Sequence, residues 1–314
     1  GIAGSHIKGV NSAAVIAIKN KEVGERDIKR VVEAARAMAL PLDREMLHIL
    51  PQEFIIDDQE GVREPIGMSG VRLEARVHIV TGAAASAQNI IKCCNRVGVV
   101  VDDIVVEQLA SAEAVLQNDE RELGVAMVDI GGGTSDIAVF VNGSLRHTAV
   151  LPVGGNHLTA DVAHGLRTPM AEAERIKQKY GCCLTELVGE TESIEVPSVG
   201  GRKPREIARR LLAEISEPRM EELFGLIDDE LIRSGYKDLL AAGLVVTGGA
   251  ALLEGVEPLA ERVTGLPTRV GKPCGISGLV DVVNSPLYAT AVGLVLHGVR
   301  QRASIGGIHR PGAG

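Results

Sequence analysis

The chain has no tryptophan and three residues each of phenylalanine and tyrosine among 314, so aromatics amount to 2%. Its cores must therefore be built from Val, Leu, Ile and Ala. A basic surplus is also missing. The 33 Lys and Arg are outnumbered by 41 Asp and Glu, for a net charge of −8. That argues against nonspecific nucleic-acid binding, which needs cations to neutralise phosphates. Five cysteines occur without any Cys-x-x-Cys, two pairs of them adjacent (Cys93-Cys94 and Cys182-Cys183). Zinc and dithiol motifs are thereby excluded, and buried thiols in a reducing cytosol are expected. His147, His157 and His164 fit no helical metal pattern, and no Gly-x-Ser-x-Gly elbow signals a nucleophilic serine. No apolar run reaches the roughly 18–20 residues that span a bilayer, and no secretory leader opens the chain. The first residue is Gly1 rather than Met, already inside a strand-like segment, which reads as a piece of a longer protein.

What is present concentrates in two glycine-rich bends. Residues 128–141 run from an apolar strand into Asp129, then Gly131-Gly132-Gly133-Thr134-Ser135, then Asp136 and a second apolar strand. Glycine lets backbone turn tightly and approach a ligand, and successive N–H groups in such a turn make an anion-binding concavity. Asp129, at the strand end, is placed to hold Mg²⁺ directly or through water, because that ion prefers oxygen ligands and keeps its waters. The bland alternative is an ordinary hairpin with Asp129 as turn former. Residues 244–256 again run from a buried strand into Gly248-Gly249-Ala250 and then a helix, where a flat ring or a phosphate could rest on backbone. Neither bend matches a P-loop or a dinucleotide fingerprint.

At 314 residues there is chain for about two domains and an ample core. Strands are expected at 13–19, 53–57, 71–80, 103–106, 147–151 and 193–197. Helices are expected at 27–38, 84–97, 111–117, from about 156, at 170–180 (ended by Gly181), 204–212 and 217–234. Strand and helix alternate, so the expected class is α/β. The Gly/Pro-rich end, from 303 to 314, is expected to be disordered.

These motifs resemble the actin, Hsp70 and sugar-kinase superfamily, and within it the FtsA family of bacterial cell division. Asp129–Asp136 matches the superfamily's second phosphate motif and Val245–Gly255 its adenosine motif. Glu107–Leu116 (Glu-Gln-Leu-Ala-Ser-Ala-Glu-Ala-Val-Leu) and Ser285–Leu294 (Ser-Pro-Leu-Tyr-Ala-Thr-Ala-Val-Gly-Leu) resemble its two connecting motifs. Gly154–Ala163 and the opening Gly1–Ile7 narrow the likeness to FtsA, and it covers nearly the whole chain.

The resemblance implies an actin-like, two-lobed ATPase fold. Residues 1–80 would be the FtsA-type (SHS2-like) small subdomain and 81–124 the rest of the first lobe. Residues 125–180 with 238–302 would form the second lobe, with 181–237 as its small companion. It further implies ATP with Mg²⁺, Asp129 on the metal side, and Gly131, Gly132, Gly133 and Thr134 around the phosphates. Glu174 and Lys177, three apart on one helix face, would line the nucleoside pocket with Gly248, Gly249 and Ala250; a surface ion pair is the alternative. Glu107 would orient the attacking water, or serve as an acid at a helix N-terminus. Gln108 departs from the proline expected beside it. Asp136 would hold the hairpin rather than the metal.

Partners implied are further copies of the chain in a filament, the tubulin-like FtsZ ring, and other division proteins. The FtsZ tail would dock on Arg202, Lys203, Arg205, Arg209 and Arg210; a solvated helix face is the alternative. The expected location is cytoplasmic, on the inner membrane face. Contact there would run through an amphipathic C-terminal helix, absent here like the first phosphate motif. Two rivals stay open: a non-polymerising ATP-binding scaffold of the pilus-assembly type, and a small-molecule kinase with Asp136 as base.

Overall fold

A computed structural model describes residues 1–37, 40–278 and 280–306. The first unit is an antiparallel sheet of order β1-β4-β2-β3, made of β1 (Lys8–Ala17), β2 (Arg44–Ile56), β3 (Gln59–Val62) and β4 (Arg72–Ala83). Helix α1 (Glu25–Arg36) lies on one face. Its periodic Ile28, Val31, Val32 and Ala35 meet Phe54, Leu73, Ala75 and Val77, the amphipathic stripe that the sequence announces. The expected helix end at Met38 falls outside the described residues.

β1 starts five residues earlier than expected. Gly9 and Asn11 carry no strand signal, but β1 pairs with β4 from Lys8↔Thr81 onward. β2 likewise begins at Arg44 rather than 53. Pro51 disguised it, and the strand accommodates that residue beside a register shift at Pro51/Glu53, the kind of irregularity where a ladder tolerates proline.

The second sheet has order β11-β10-β5-β6-β7: β5 (Val125–Ile130), β6 (Ser135–Val141), β7 (Ser144–Leu151), β10 (Leu244–Thr247) and β11 (Thr268–Val270). β11, β10 and β5 are parallel, whereas β5, β6 and β7 form an antiparallel meander. Every residue of β5, β6 and β10 is buried, as expected of strands covered on both faces. Helices α3 (Glu107–Val115) and α10 (Ala289–Gly306) cover one face, where Ala112, Val115 and Ala289 meet Met127, Ala138 and Val245. The other face is covered by α5 (Gly155–Leu166), α7 (Arg209–Ser234) and α8 (Val256–Thr264), through Leu158, Val162, Leu212, Phe224 and Leu259. Remaining elements are α2 (Ala84–Arg96), α4 (Asn118–Leu123), α6 (Met170–Tyr180), α9 (Val280–Val283) and the ribbon of β8 (Ser193–Val196) with β9 (Arg205–Ala208).

Three expectations are corrected. Residues 205–208, read as helix, are strand β9. Arg-Glu-Ile-Ala suits a helix, but pairing with β8 through Ile194↔Ile207 overrides that weak preference. The two helices expected at 204–212 and 217–234 are a single α7 that runs through Pro218. Residues 103–106 form no strand; their one ladder contact is the bridge Ile2↔Val106. Of the expected disordered tail, 303–306 complete α10 and 307–314 lie outside the described residues.

Candidate functional site

Thr247 at the end of β10 stands beside Asp129 near the end of β5, the two strands running parallel. Both glycine bends therefore leave the same edge of the sheet side by side. They meet over one cavity of about 380 Å³ lined by Gly131 and Gly132 from the first bend and Gly249 and Ala250 from the second. Gly155, Asn156, Glu174, Lys177, Gln178, Leu252, Leu253 and Leu287 complete the wall. The size falls within the range of small-ligand pockets, which are apolar with a few convergent polar groups.

The first bend is held by the start of α5. The carbonyls of Gly131 and Gly132 accept from the backbone N–H of Gly155 and Asn156 at 2.9 and 2.8 Å. Across a trans peptide the C=O and the following N–H point in opposite directions. The amides of Gly132 and Gly133 are thus turned away from α5 and left free for an anion. None of the glycines 131–133 has positive φ. Close approach constrains the bend instead, since a Cβ on Gly154 would lie 2.7 Å from the Gly131 carbonyl oxygen. At Gly248 both constraints act: φ is +87° and a Cβ would stand 2.4 Å from Asp129 Oδ1.

Asp129 is 7% exposed. Its Oδ2 accepts from Ser111 Oγ at 2.5 Å and Thr290 Oγ1 at 3.0 Å. Burial pushes its carboxyl above the usual range, and those two hydroxyls oppose the shift. Asp136 is its direct cross-strand neighbour and is 3% exposed. Thr134 Oγ1 donates to Asp136 Oδ2 at 2.8 Å, while the buried Oδ1 has no hydrogen-bond partner among the described residues. Burial raises Asp136 to about 7, with Thr134 opposing and Glu107 and Asp129 adding repulsion. Glu107, the first residue of α3, is raised by burial and then by Asp129. Three carboxylates thus crowd beside the bends, but none lines the cavity itself. Among the described residues no three His, Cys, Asp or Glu side chains are arranged to hold a metal by themselves.

Lys177 is buried at 9% exposure, so the surface ion pair is not what the structure contains. Its Nζ donates to the Gly155 carbonyl at 3.0 Å and Thr159 Oγ1 at 2.8 Å, and pairs with Glu174 Oε2 at 2.8 Å. Thr159 also donates to Glu174. Burial would raise Glu174, but the hydrogen bonds from Lys177 and Thr159 outweigh it and hold the carboxyl below its ordinary value.

Residues 126–293 match the family model described as cell division protein FtsA, and residues 4–81 match the SHS2 domain inserted in FtsA. The chain is 55% identical over 303 residues to the cell division protein FtsA of Pseudomonas aeruginosa, covering 96% of this chain and 73% of that protein. It belongs to the FtsA family of cell division proteins. The FtsA of Escherichia coli K12 is 46% identical over 304 residues, with 95% and 72% covered. Among solved structures, the PilM–PilN type IV pilus biogenesis complex superposes with a TM-score of 0.62 at 16% identity, over 93% of this chain and 77% of that one. MreB5 of Spiroplasma citri bound to ADP gives 0.58 at 19%, over 71% and 68%. At such identities the likeness concerns fold alone, and the fold is the actin-like α/β one.

In this FtsA family member, sequence reasoning missed Ser111, Thr290, Asn156 and Thr159. Ser111 and Thr290 lie inside the two connecting motifs, and a hydroxyl among alanines in each was the available signal. The basic cluster divides. Arg209 bonds Glu192, Glu254 and the Tyr180 carbonyl, Arg205 bonds the Leu166 carbonyl, and Arg210 pairs with Glu214 at 3.7 Å. Arg202 and Lys203 are exposed. All five cysteines are free thiols, with Cys183 pushed up to about 12 by burial and by Cys182.

The raised Asp136 has a measurable consequence for stability. An unfolded Asp releases its proton near 3.8 and the folded one near 7. Between those values the folded state holds the extra proton, so this group's contribution is full below about pH 4 and is lost as pH rises to 7. Urea unfolding in metal-free buffer should therefore show Asp136→Asn gaining about 3 kcal/mol on the wild type between pH 5 and pH 8. A pH-independent difference would contradict the buried protonated carboxyl.

Proposed function

We propose that this protein binds ATP with Mg²⁺ in the cavity between the two bends and acts in bacterial cell division, polymerising and tethering the FtsZ ring to the cytoplasmic membrane. The observation that carries the nucleotide reading is the meeting of both bends over one cavity whose far wall holds Glu174 and Lys177. Gly249, Ala250, Leu252, Leu253 and Leu287 offer an apolar slot for adenine. Glu174, kept ionised, is an acceptor for ribose hydroxyls, and Lys177 fixes its orientation while tying α6 to α5. Gly132 and Gly133 present outward amides to phosphate.

The carboxylates suit Mg²⁺ in chemistry. They are hard oxygen donors, Asp136 Oδ1 has no partner among the described residues, and too few of those residues' side chains converge for an all-protein cage, as fits an ion that keeps its waters and takes phosphate oxygens. When bound, the ion would neutralise phosphate charge and offset the burial that raises these carboxyls, together with the repulsion that adds to it at Glu107 and Asp136. In this reading Asp129 is the metal-side group and Glu107 orients the attacking water. The cell-division role rests on family membership. Its filament, FtsZ and membrane aspects are proposals for this chain.

Calorimetric titration with ATP in magnesium buffer tests the reading, with saturable binding expected in the micromolar range. No binding at millimolar ATP would overturn it. For the FtsZ tail, Arg202 and Lys203 are the members of the basic cluster without a partner among the described residues, whereas Arg205, Arg209 and Arg210 have theirs. Charge reversal at both should weaken binding of an acidic FtsZ tail peptide about tenfold, given roughly 1.4 kcal/mol per tenfold. Arg209→Glu is a poor probe, because it breaks two internal ion pairs. Unchanged peptide affinity in the double reversal would remove this docking surface.

A further inference from the structure

Asp129 is the point where two helices remote in sequence meet. Ser111, from α3, and Thr290, from the first turn of α10, both donate to the same oxygen, Oδ2, and their hydroxyls stand 3.0 Å apart. Two hydroxyl protons thus serve three contacts, and with both donated to Oδ2 the hydroxyl–hydroxyl edge goes unbonded. The other carboxylate oxygen, Oδ1, faces Gly248 in the second bend.

The helices that supply the hydroxyls are themselves packed to the backbone. Gly293, one turn beyond Thr290, lies so close to α3 that a Cβ there would be 1.7 Å from the Ala110 carbonyl oxygen. Ser111 is the next residue after Ala110, so the hydroxyl pair sits at the edge of this crossing. Ser111 is fully buried on a helix whose other buried residues are Gln108, Ala110, Ala112, Ala114 and Val115. Ala is the better helix former, and packing alone gives no reason for serine. Glu107 precedes Ser111 by four residues, hence shares its helix face. Any movement of α3 that breaks the Ser111 bond therefore also displaces Glu107.

We propose that Ser111 and Thr290 are positioning residues: a hydroxyl clamp that fixes Asp129 with Oδ1 toward the second bend and couples magnesium-nucleotide occupancy to the α3–α10 crossing. This rests on the nucleotide reading above and deepens it. With the clamp closed, Asp129 has a single orientation and Glu107 a fixed place beside it. With it open, the carboxylate is free to rotate and the two helices lose their shared anchor at the cavity edge. Binding of the ion favours the closed arrangement, because only there is Oδ1 held in one fixed direction toward the second bend.

The test is calorimetric titration of the full chain with ATP, in magnesium and in EDTA, for wild type, Thr290→Val, Thr290→Ser and the Ser111→Ala/Thr290→Val double variant. Thr290→Val keeps the side-chain shape and removes the donor. Loss of one donor to the carboxylate should lower magnesium-dependent affinity about tenfold in Thr290→Val, roughly 1.4 kcal/mol, and further in the double variant. Affinity in EDTA should change less than about twofold, and Thr290→Ser, which keeps the hydroxyl, should recover the magnesium effect. A merely structural role would lower both affinities together. Equal losses in the two buffers, or no loss in either, overturn the clamp while wild-type binding leaves the nucleotide reading standing. Absence of wild-type binding sinks both. Should the double variant melt far below the wild type, Thr290→Val alone decides.

Discussion

Gly248→Ala should destabilise this protein by about 4 kcal/mol and abolish ATP binding. Two costs add. The residue sits at φ +87° and ψ 177°, a region that residues with a Cβ enter at about 1–3 kcal/mol. The new methyl would also stand 2.4 Å from Asp129 Oδ1 and 2.6 Å from the Ile130 carbonyl oxygen. Neither can retreat, since Asp129 is anchored by two hydroxyls and Ile130 belongs to a ladder paired with β6. The bend must therefore move, and the cavity wall moves with it. Gly133→Ala is the control, with no atom within 4 Å of its Cβ position and no positive φ. Its stability should stay within about 0.5 kcal/mol of wild type. Urea unfolding of both variants checks the pair, and equal stability of the two would refute the account of the second bend.

Asp129→Asn should produce the opposite sign on stability together with a large loss of magnesium-dependent binding. The carboxylate is buried, and burial alone pushes its protonation upward, the mark of a charge held at a cost in the folded state. An amide of the same shape can still accept from one hydroxyl and carries no charge to desolvate. Thermal unfolding without ligand should therefore be unchanged or higher by a few degrees, as when function holds a site below its stability optimum. ATP affinity in magnesium should drop about 100-fold, a loss of roughly 2.7 kcal/mol, toward the value in EDTA. A variant that melts lower yet still binds magnesium-ATP would show Asp129 to be a structural turn former, the reading that the hairpin sequence alone leaves open.

Much of this architecture was legible from patterning. The buried strands β5, β6 and β10 read as continuous apolar runs, and α1 and α6 as periodic helices, because nearest neighbours along the chain decide those elements. Elements that sequence misplaced are those for which a distant partner decides. Arg205–Ala208 is a strand through β8, Pro51 lies in a strand that shifts register around it, and Pro218 sits in a long helix whose flanks are packed on the five-stranded sheet. Glu174 and Lys177 show the same division at the site. Their spacing put them on one helix face, yet whether that face met solvent or a cavity depended on Gly155 and Thr159 in α5.

The sequence by itself determined the α/β class, the two bends and the residue types able to face a phosphate, since glycine, hydroxyl and carboxylate each carry local consequences. Tertiary structure alone decided that the bends adjoin, because β10 docks beside β5 across more than a hundred residues of intervening chain. It also decided that Ser111 and Thr290, 179 positions apart, share one carboxylate oxygen. Long-range pairing is selected by which surfaces remain to be buried once local structure has formed, and that choice is written in the whole chain rather than in any one segment.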